Sequence, residues 1–287
     1  MAVSTVVKTS INQCLKHVNL RLDTLTAEEV ETRRLRALEQ QGHFQSPVLP
    51  VPASFESRSF ALILEEIPAH RPRFESFEDP SRNDVMYTYD TNYFTSPDTE
   101  VLYAIIRKFQ PRTVIEVGCG NSTKIMRQAI LDGRLETRLI SIDPHPRTEI
   151  RGLADEIYRS PVERTRMSEL LYSLKDGDVL FIDSSHEIKT GNDVVFLYLN
   201  VIPKLPPGVL IHIHDVFLPY DYPREWVLEK KWGFNEQYLV QALLTFTGAF
   251  DVLWAGHFLQ RTLPDFARSF SHLNGRLGSS LWLRKAR

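Results

Sequence analysis

The chain has 287 residues, enough for one large domain or two small ones around a buried core. Hydrophobic residues make up 43% and charged residues 24%, which excludes wholesale disorder, and a net charge of −2 provides no global attraction to nucleic acid or an anionic membrane. The 2 cysteines, Cys14 and Cys119, exclude a disulfide scaffold and a four-cysteine zinc site. With no bilayer-length apolar run and no secretory h-region near Met1, we expect a cytoplasmic protein.

The first 97 residues form the less regular part of the sequence. They contain a charged, helix-like stretch at Thr26–Gln41 and Pro-rich connectors at 44–58 and 69–83. We interpret residues 1–97 as an N-terminal extension of helices and Pro-rich loops that caps the sheet or makes the contacts of a homodimer. A helix over Pro97–Gln110 is predicted to lead into a second domain, residues 98–287.

The second domain alternates apolar runs with helix-like patterns. Strands are predicted at 113–118, 138–143, 158–162, 178–183, 209–214, 250–258 and 279–284, and helices at 122–131, 148–157, 167–174, 190–205 and 235–247. Near-continuous apolar strands separated by amphipathic helices are typical of a parallel α/β sheet that helices cover on both faces. The last two strands can lie antiparallel at the edge of this sheet.

A glycine pair follows the first predicted strand. Gly118 and Gly120 let the chain turn tightly beside a ligand, although this spacing alone also fits an ordinary strand-to-helix turn. Glu116 precedes the pair, and Asp143 ends the next strand, where a carboxylate can accept hydrogen bonds from ribose hydroxyls. Thr123 replaces the third glycine of the dinucleotide fingerprint, which favours a nucleoside without a pyrophosphate.

Four segments resemble the motifs of the class I S-adenosylmethionine (SAM)-dependent methyltransferases. Glu116–Ser122 is similar to their first motif, Ser141–Asp143 to the second, Gly177–Asp183 to the fourth, and Leu205–Gly208 to the turn before strand five. The resemblance covers about residues 100 to 285. It implies a Rossmann-like sheet of seven strands, mostly parallel with the last strand antiparallel, and SAM as the cofactor.

The resemblance also implies which residues meet the cofactor. Gly118, Cys119 and Gly120 would surround the methionine part of SAM, and Asp143 would hold the ribose. His145 would pack on the adenine, with a plain surface position as the alternative. The predicted cofactor residues are Glu116, Gly118, Cys119, Gly120, Asn121, Ser122, Asp143, His145 and Asp183.

Ionisable side chains also follow strands four and five. Strand four ends in Asp183-Ser-Ser-His186, and strand five ends in His212-Ile-His214-Asp215. Ligands of open α/β sheets bind outside the carboxyl ends of the strands, so Asp183, His214 and Asp215 are predicted to converge there as metal ligands. Their mixed oxygen and nitrogen donors suit a divalent cation. His212 lies within the apolar strand and is interpreted as structural.

These strand ends resemble the metal-dependent small-molecule methyltransferases similar to catechol O-methyltransferase. Asp183 matches their metal-binding Asp, while their strand-five pair becomes His214-Asp215 here. A histidine ligand would shift the preference from Mg towards Mn, Fe, Co or Zn. His186 stands where that subgroup has a general-base lysine, and an ordinary histidine pKa of about 6.5 suits proton removal near neutral pH.

The predicted reaction is methyl transfer from SAM to a small-molecule acceptor, at a hydroxyl oxygen. Asp183 and His186 are the predicted catalytic residues, with the cation lowering the pKa of the hydroxyl and His186 accepting its proton. Aromatic segments before the sheet and after strand five are candidate walls for the acceptor, or alternatively packing residues. The candidates are Tyr93, Phe94, Phe217, Tyr220, Tyr222, Trp226 and Asn235.

Three other functions remain open from the sequence. The first is a metal-independent N- or C-methyltransferase of a natural-product or glycan pathway, in which the His and Asp side chains deprotonate the acceptor. The second is a nicotinamide-dependent oxidoreductase, against which the missing third glycine argues. The third is a non-catalytic scaffold that dimerises through its N-terminal region.

Overall fold

The computed structural model describes residues 5–22, 26–56, 59–79 and 86–287, which form two compact units. The first unit contains the described residues up to Ser46 together with Pro223–Lys231. The second contains the remaining described residues, from Pro47 to Tyr222 and from Trp232 to Arg287. All the strands of the described residues lie in the second unit.

The first unit is helical. It contains α1 (Thr5–Leu15), α2 (Thr26–Gln40) and the π-helical segment Glu225–Glu229. Charged pairs link α2 to that segment and its flanks, since Arg224 contacts Glu39 and Lys231 contacts Glu28. Over the described part of the chain, no helix combines the length and apolarity needed to cross a membrane.

The second unit is built on a seven-stranded sheet. Its strands are β1 (Thr113–Val117), β2 (Arg138–Ile142), β3 (Glu156–Tyr158), β4 (Val179–Ile182), β5 (Leu210–Ile213), β6 (Phe250–Ala255) and β7 (Leu281–Lys285). The spatial order is β3-β2-β1-β4-β5-β7-β6. Neighbours among β1 to β5 pair in parallel, whereas β7 is antiparallel to both β5 and β6, which confirms the predicted sheet with its reversed last strand.

Helices of the same unit accompany the sheet. They are α3 (Ser59–Glu66), α4 (Arg71–Glu75), α5 (Asp98–Phe109), α6 (Asn121–Gly133), α7 (Thr165–Tyr172), α8 (Asp193–Phe196), α9 (Glu236–Phe246), α10 (Gly256–Thr262) and α11 (Phe266–Ser269). Every residue of β4 and β5 is buried, as expected for apolar strands at the centre of a sheet. α3 lies against β6 and α5 and buries Phe60 and Ile63. Its apolar spacing explains why a segment of the predicted extension joins this core.

The helix predicted at 148–157 is wrong. This segment forms turns, and its last residues belong to β3, which begins at Glu156 rather than at residue 158. Gly152 has a φ of +81°, a left-handed conformation that ends a right-handed helix. Ile150 and Leu153 instead pack with Cys119 in a small apolar cluster of their own.

Two other predicted elements differ in extent or type. The strand predicted at 250–258 ends at Ala255, and the helix α10 begins at Gly256. The helix predicted at 190–205 is a succession of α8, a π-helical segment at Leu197–Val201 and a 3₁₀ turn at Ile202–Lys204. Pro203 lacks the backbone N–H that a regular helix would need there, which accounts for the change of helix type.

Candidate active site

The turn between β1 and α6 holds the predicted glycine pair. Gly118 has a φ of +83°, the left-handed region that glycine tolerates best. A Cβ at this position would lie 1.7 Å from the carbonyl oxygen of Asp183. Glycine is therefore required for the end of β1 to pass the end of β4. Gly120 has a φ of 169°, outside the left-handed region, and a Cβ there would meet nothing nearer than Thr148 at 3.7 Å.

Glu116 anchors this turn from inside the sheet. The carboxylate is completely buried and accepts hydrogen bonds from the hydroxyls of Ser122 and Thr123, each at 2.6 Å, and of Ser141 at 2.9 Å. Burial raises the pKa of Glu116 to about 7, although these three hydroxyls favour the charged form. Glu116 and the buried Ser122 thus hold β1, α6 and β2 together beneath the turn, rather than presenting surface to a cofactor.

Asp143 organises the loop on the other side of the turn. Its Oδ2 accepts a hydrogen bond from the backbone N–H of Cys119 at 2.8 Å, and its Oδ1 accepts one from the N–H of His145 at 2.7 Å. Asp143 is half-buried, His145 is exposed and Cys119 is buried. Burial raises the pKa of the Cys119 thiol above its usual range, so the thiol stays neutral.

A loop before α5 lies on the glycine turn. The side-chain amide of Asn121 donates hydrogen bonds to Thr91 Oγ1 at 2.8 Å and to the carbonyl oxygen of Tyr93 at 2.9 Å. The Tyr93 ring is 60% exposed, and the guanidinium of Arg147 lies over it at 5.0 Å. The predicted acceptor residue Tyr93 therefore lies beside the predicted cofactor residue Asn121.

Two histidines and two aspartates meet at the ends of β4 and β5. We call Asp183, His186, His214 and Asp215 the acid–histidine cluster. His186 Nε2 lies 3.2 Å from Asp183 Oδ1 and 3.5 Å from Asp215 Oδ2. Its other nitrogen, Nδ1, lies 2.8 Å from Glu236 Oε2. His186 is thus enclosed by three carboxylates.

His214 occupies a corresponding position on the other side of the two aspartates. Its Nδ1 lies 3.5 Å from Asp183 Oδ1 and 3.3 Å from Asp215 Oδ1. Its Nε2 lies 3.4 Å from Asp98 Oδ2 and 3.3 Å from Ser279 Oγ. In both histidines one nitrogen faces the aspartate pair and the other faces a buried carboxylate outside the cluster.

Two members of the cluster have a left-handed backbone. The φ of His186 is 58° and that of Asp215 is 57°, in a region that non-glycine residues rarely adopt. Such conformations cost about 1–3 kcal/mol and gather at functional sites. They turn both side chains towards the same point beyond the strand ends.

Opposite charges outweigh burial in setting the pKa values of the cluster. Burial raises the pKa of Asp183, yet His214 and His186 hold it well below its usual range. Burial lowers the pKa of His186, but hydrogen bonds to Asp183 and Glu236 and the charge of Asp215 raise it to about 10. Asp183 and Asp215 likewise hold the pKa of His214 well above its usual range. Both rings are therefore protonated near neutral pH, whereas the predicted base role assumed an ordinary pKa.

The donor set of the cluster fits a divalent cation. One ligand atom each from Asp183, His186 and Asp215 lies within 4.8 Å of the other two. The predicted metal set named His214 rather than His186, and His214 Nδ1 stands at comparable distances from the aspartates. Two carboxylates with an imidazole form the mixed oxygen and nitrogen set that Mn, Fe, Co and Zn accept.

His212 belongs to the sheet interior, in accord with its structural interpretation. It is fully buried, its Nε2 lies 3.0 Å from Ser280 Oγ, and its ring stacks on Phe181 at 3.8 Å. Burial holds its pKa well below the usual range, so the ring stays neutral. Phe94, a predicted acceptor residue, stacks on the neighbouring His214 at 4.9 Å and thereby joins the wall of the cluster.

Two of the predicted acceptor residues after β5 serve to fix the loop. Phe217 and Tyr222 are each 2% exposed. The backbone N–H of Phe217 donates to Gln237 Oε1 at 2.9 Å, and the backbone N–H of Gln237 donates to the Tyr222 hydroxyl at 3.0 Å. Tyr220 is half-buried beneath the guanidinium of Arg261 at 5.2 Å. For Phe217 and Tyr222 the structure favours the packing alternative.

The last two predicted acceptor residues differ in setting. Asn235 directly precedes α9, and its Oδ1 accepts a hydrogen bond from the backbone N–H of Ile188 in the loop after β4. Asn235 therefore lies close to His186 in the same unit. Trp226 belongs to the π-helical segment of the first unit and is half-buried there.

Sequence reasoning did not identify the outer carboxylates. Glu236 is the first residue of α9 and is 1% exposed, and Asp98 is the first residue of α5 and is 3% exposed. Asp98 also accepts hydrogen bonds from the backbone N–H groups of Ser279 and Ser280. An acidic residue in the first turn of a helix is common because it complements the helix dipole, so neither position is conspicuous in the sequence.

Part of the chain matches a known family. Residues 115–216, which run from β1 past β5, match a family described as a methyltransferase domain. The glycine turn and the acid–histidine cluster both lie within this segment. This match confirms the resemblance to the methyltransferases that the motifs of the segment carry. No curated protein matches the sequence.

Several solved structures are distantly similar. PaMTH1 of Podospora anserina, an SAH-bound methyltransferase, shares 17% identity over 84% of this chain and 100% of that chain, with a TM-score of 0.43. An O-methyltransferase from Bacillus cereus in complex with SAH shares 12% identity over 89% and 100%, with a TM-score of 0.41. CmcI with Mg-SAM shares 18% identity over 66% and 72%, with a TM-score of 0.39. With identities this low and TM-scores below 0.5, these similarities assign no role to any residue of this chain.

Proposed function

We propose that this chain transfers a methyl group from SAM to a hydroxyl oxygen of a small-molecule acceptor with the help of a divalent cation. One observation carries the proposal: the Gly118 turn touches the main chain of Asp183. A cofactor bound at that turn would therefore lie next to the acid–histidine cluster. Methyl transfer depends on holding donor and acceptor in line, and this adjacency supports it.

The cofactor residues of the proposal surround the turn. The main chain of Gly118, Cys119 and Gly120 would lie against the methionine part of SAM, and Asp143 would hold the ribose. Asp143 already accepts two backbone hydrogen bonds, and each carboxylate oxygen retains a further lone pair for a ribose hydroxyl. Asn121 contributes by holding the loop at Thr91–Tyr93 against the same turn.

The cation would be held by Asp183 and Asp215 together with one of the two histidines. Its chemistry would be that of a Lewis acid, which lowers the pKa of the acceptor hydroxyl. Through the cation, the two aspartates would fix the position of the hydroxyl relative to the glycine turn. Phe94, stacked on His214, and the neighbouring Tyr93 would form the adjoining wall for the acceptor.

The two histidines of the cluster have different proposed roles. We propose that His186 accepts the acceptor proton at Nε2 and that His214 is the nitrogen ligand. The raised pKa of His186 depends on the charge of Asp183, Glu236 and Asp215. Neutralising the aspartates would bring that pKa back towards the range in which an imidazole accepts a proton. A specific observation favours the exchanged assignment, with His186 as the ligand, since its donor atom groups with Asp183 and Asp215.

For the domain roles we keep the division predicted from the sequence. Residues 98–287 would form the SAM-binding domain, and residues 1–97 an extension available for contacts with a second copy. The described residues keep both cysteines as free thiols, Cys14 on the surface and Cys119 buried. Free thiols fit a reducing, cytoplasmic compartment.

A chelation experiment tests the function and separates it from the metal-independent alternative. A panel of hydroxylated acceptors, comprising catechols, flavonoids and glycosides, is incubated with SAM and the protein, and S-adenosylhomocysteine formation is measured. We expect turnover that EDTA removes and Mn²⁺ restores. Turnover that resists EDTA in a protein free of bound metal would overturn the role of the cation, and no SAM binding at all would overturn the function.

His186→Ala then distinguishes the two histidine assignments. If His186 is the base, the variant keeps the Mn²⁺ affinity of the wild type but loses turnover. If His186 is the ligand, the variant loses Mn²⁺ affinity as well as turnover. In that case His214→Ala should bind Mn²⁺ more tightly than His186→Ala does. Calorimetric titration with Mn²⁺ measures both variants directly.

A further inference from the structure

His186 makes its shortest side-chain contact with a residue outside the cluster. Glu236 Oε2 lies 2.8 Å from His186 Nδ1, whereas the distances from Nε2 to Asp183 and Asp215 are 3.2 and 3.5 Å. Glu236 is 1% exposed, so neither solvent nor salt weakens this pair. A buried carboxylate on one imidazole nitrogen leaves the other nitrogen as the one available for chemistry.

The same segment also holds the main chain of His186. The backbone N–H groups of Asn235 and Glu236 donate hydrogen bonds to the His186 carbonyl oxygen at 2.9 and 3.2 Å. These bonds support the left-handed backbone of His186, whose φ is 58°. The Phe234 ring packs against the imidazole, with 4.8 Å between the ring centroids. The residues that begin α9 thus fix both the backbone and the ring of His186.

We propose that Glu236 is a positioning residue that acts through His186, an inference that rests on the proposed function. It holds Nδ1 and so directs Nε2 to the point between Asp183 and Asp215. This role is the same whether Nε2 accepts a proton or binds the cation. Outer carboxylates of this kind orient imidazoles at many metal and catalytic sites, and their loss costs about 10- to 100-fold in metal affinity or activity.

The plain alternative is that Glu236 only stabilises the fold. A merely structural carboxylate would affect folding and leave the chemistry of His186 unchanged. Two substitutions separate the roles, because Glu236→Gln retains a hydrogen-bonding side chain of the same size and Glu236→Leu removes every polar atom. The matched control is Glu100→Gln, since Glu100 is also 1% exposed and bonded to neighbours, Ser96 and Tyr89, outside the cluster.

The first measurement needs neither acceptor nor metal. In protein with ¹⁵N-labelled histidine, NMR should show a slowly exchanging Nδ1–H of His186 in the wild type and in Glu100→Gln. We expect this signal to persist in Glu236→Gln and to disappear in Glu236→Leu, while circular dichroism shows both variants folded. An Nδ1–H signal that is missing from the wild type, or that Glu236→Leu leaves unchanged, would overturn the proposal.

The second measurement is a double-mutant comparison of turnover with an acceptor from the hydroxylated panel. Glu236→Leu should lower kcat by about 10- to 100-fold, leave the KM for SAM within about twofold, and cause no further loss in a His186→Ala background. Equal losses in both backgrounds would contradict action through His186. If the wild type transfers no methyl group, the proposed function fails, and the NMR result alone then decides the role of Glu236.

Discussion

The carbonyl oxygen of Asp183 occupies the space that a side chain on Gly118 would need. A Cβ on Gly118 would come within 1.7 Å of that oxygen. β1 and β4 are hydrogen-bonded neighbours, and the Asp183 N–H donates to the Val117 carbonyl oxygen at 2.9 Å. This close approach joins the glycine turn to the acid–histidine cluster.

Gly118→Ala should therefore destabilise the protein. Both the φ of +83° and the overlap with Asp183 oppose a methyl group, so we expect a loss of about 2–4 kcal/mol in the free energy of unfolding. Gly120→Ala is the matched control for stability, because its φ of 169° lies outside the left-handed region and the nearest atom is 3.7 Å away. Urea unfolding compares the two, and equal stabilities would contradict the packing described for this turn.

Asp143→Ala should weaken SAM binding. The substitution removes the proposed ribose ligand and the acceptor for the Cys119 and His145 N–H groups, and we expect at least about tenfold weaker binding. His145→Ala, at an exposed position, tests the adenine contact separately. Isothermal titration with SAM measures both, and an unchanged affinity in Asp143→Ala would remove the cofactor assignment.

Asp98→Ala should lower the stability of the protein, although Asp98 lies outside the acid–histidine cluster. Asp98 accepts hydrogen bonds from the backbone N–H groups of Ser279 at 2.9 Å and Ser280 at 3.1 Å, and its loss leaves both donors unpaired. At about 1–3 kcal/mol for each of these two buried groups, we expect about 2–6 kcal/mol less stability. Asp251→Ala, at an exposed position of β6, should change stability by no more than about 0.5 kcal/mol.

The metal-free protein should lose stability as the pH rises from about 6.5 to 10. The pKa of His186 is raised to about 10 in the folded protein, while the unfolded chain releases this proton near its ordinary pKa of about 6.5. The folded state thus binds more protons over this range, and its stabilisation by the proton fades as the pH approaches 10. His214, whose pKa is also raised, adds to the same slope.

Stability should also fall at acid pH, because there a group whose pKa is lowered in the folded protein takes up a proton. The pKa of Asp183 is lowered in the folded protein, so its stabilising contribution is present above about pH 4 and is lost as the pH falls further. Urea unfolding of EDTA-treated protein at a series of pH values measures both limbs. His186→Gln should flatten the alkaline limb, and an unchanged slope in that variant would contradict the protonated ring.

The sequence predicted the sheet well because buried parallel strands have a distinctive pattern. Thr113–Val117 and Leu210–Ile213 are apolar runs closed by glycine or charged residues, and both form strands within a residue or two of the prediction. The helix prediction for residues 148–157 is wrong because their apolar spacing is helical, whereas Gly152 adopts a left-handed turn. Periodicity alone does not reveal that backbone conformation.

The site could be predicted only where it follows strand ends. Asp183, His186, His214 and Asp215 are adjacent in the sequence to β4 and β5, and parallel strands bring such ends together. Glu236 lies 50 residues from its partner His186 in the chain, and Asp98 lies 116 residues from its partner His214, so only the tertiary packing reveals them. The pKa of His186 was missed for the same reason, because Glu236 is one of its causes.

The central claim is that SAM and a divalent cation bind side by side, at the Gly118 turn and the acid–histidine cluster. A crystal structure of the protein with SAM and Mn²⁺, with anomalous data collected for manganese, tests it most directly. We predict the SAM ribose on Asp143 and one anomalous peak between Asp183 and Asp215, next to His186 or His214. SAM elsewhere on the chain, or no peak at the two aspartates while SAM is bound, would contradict it.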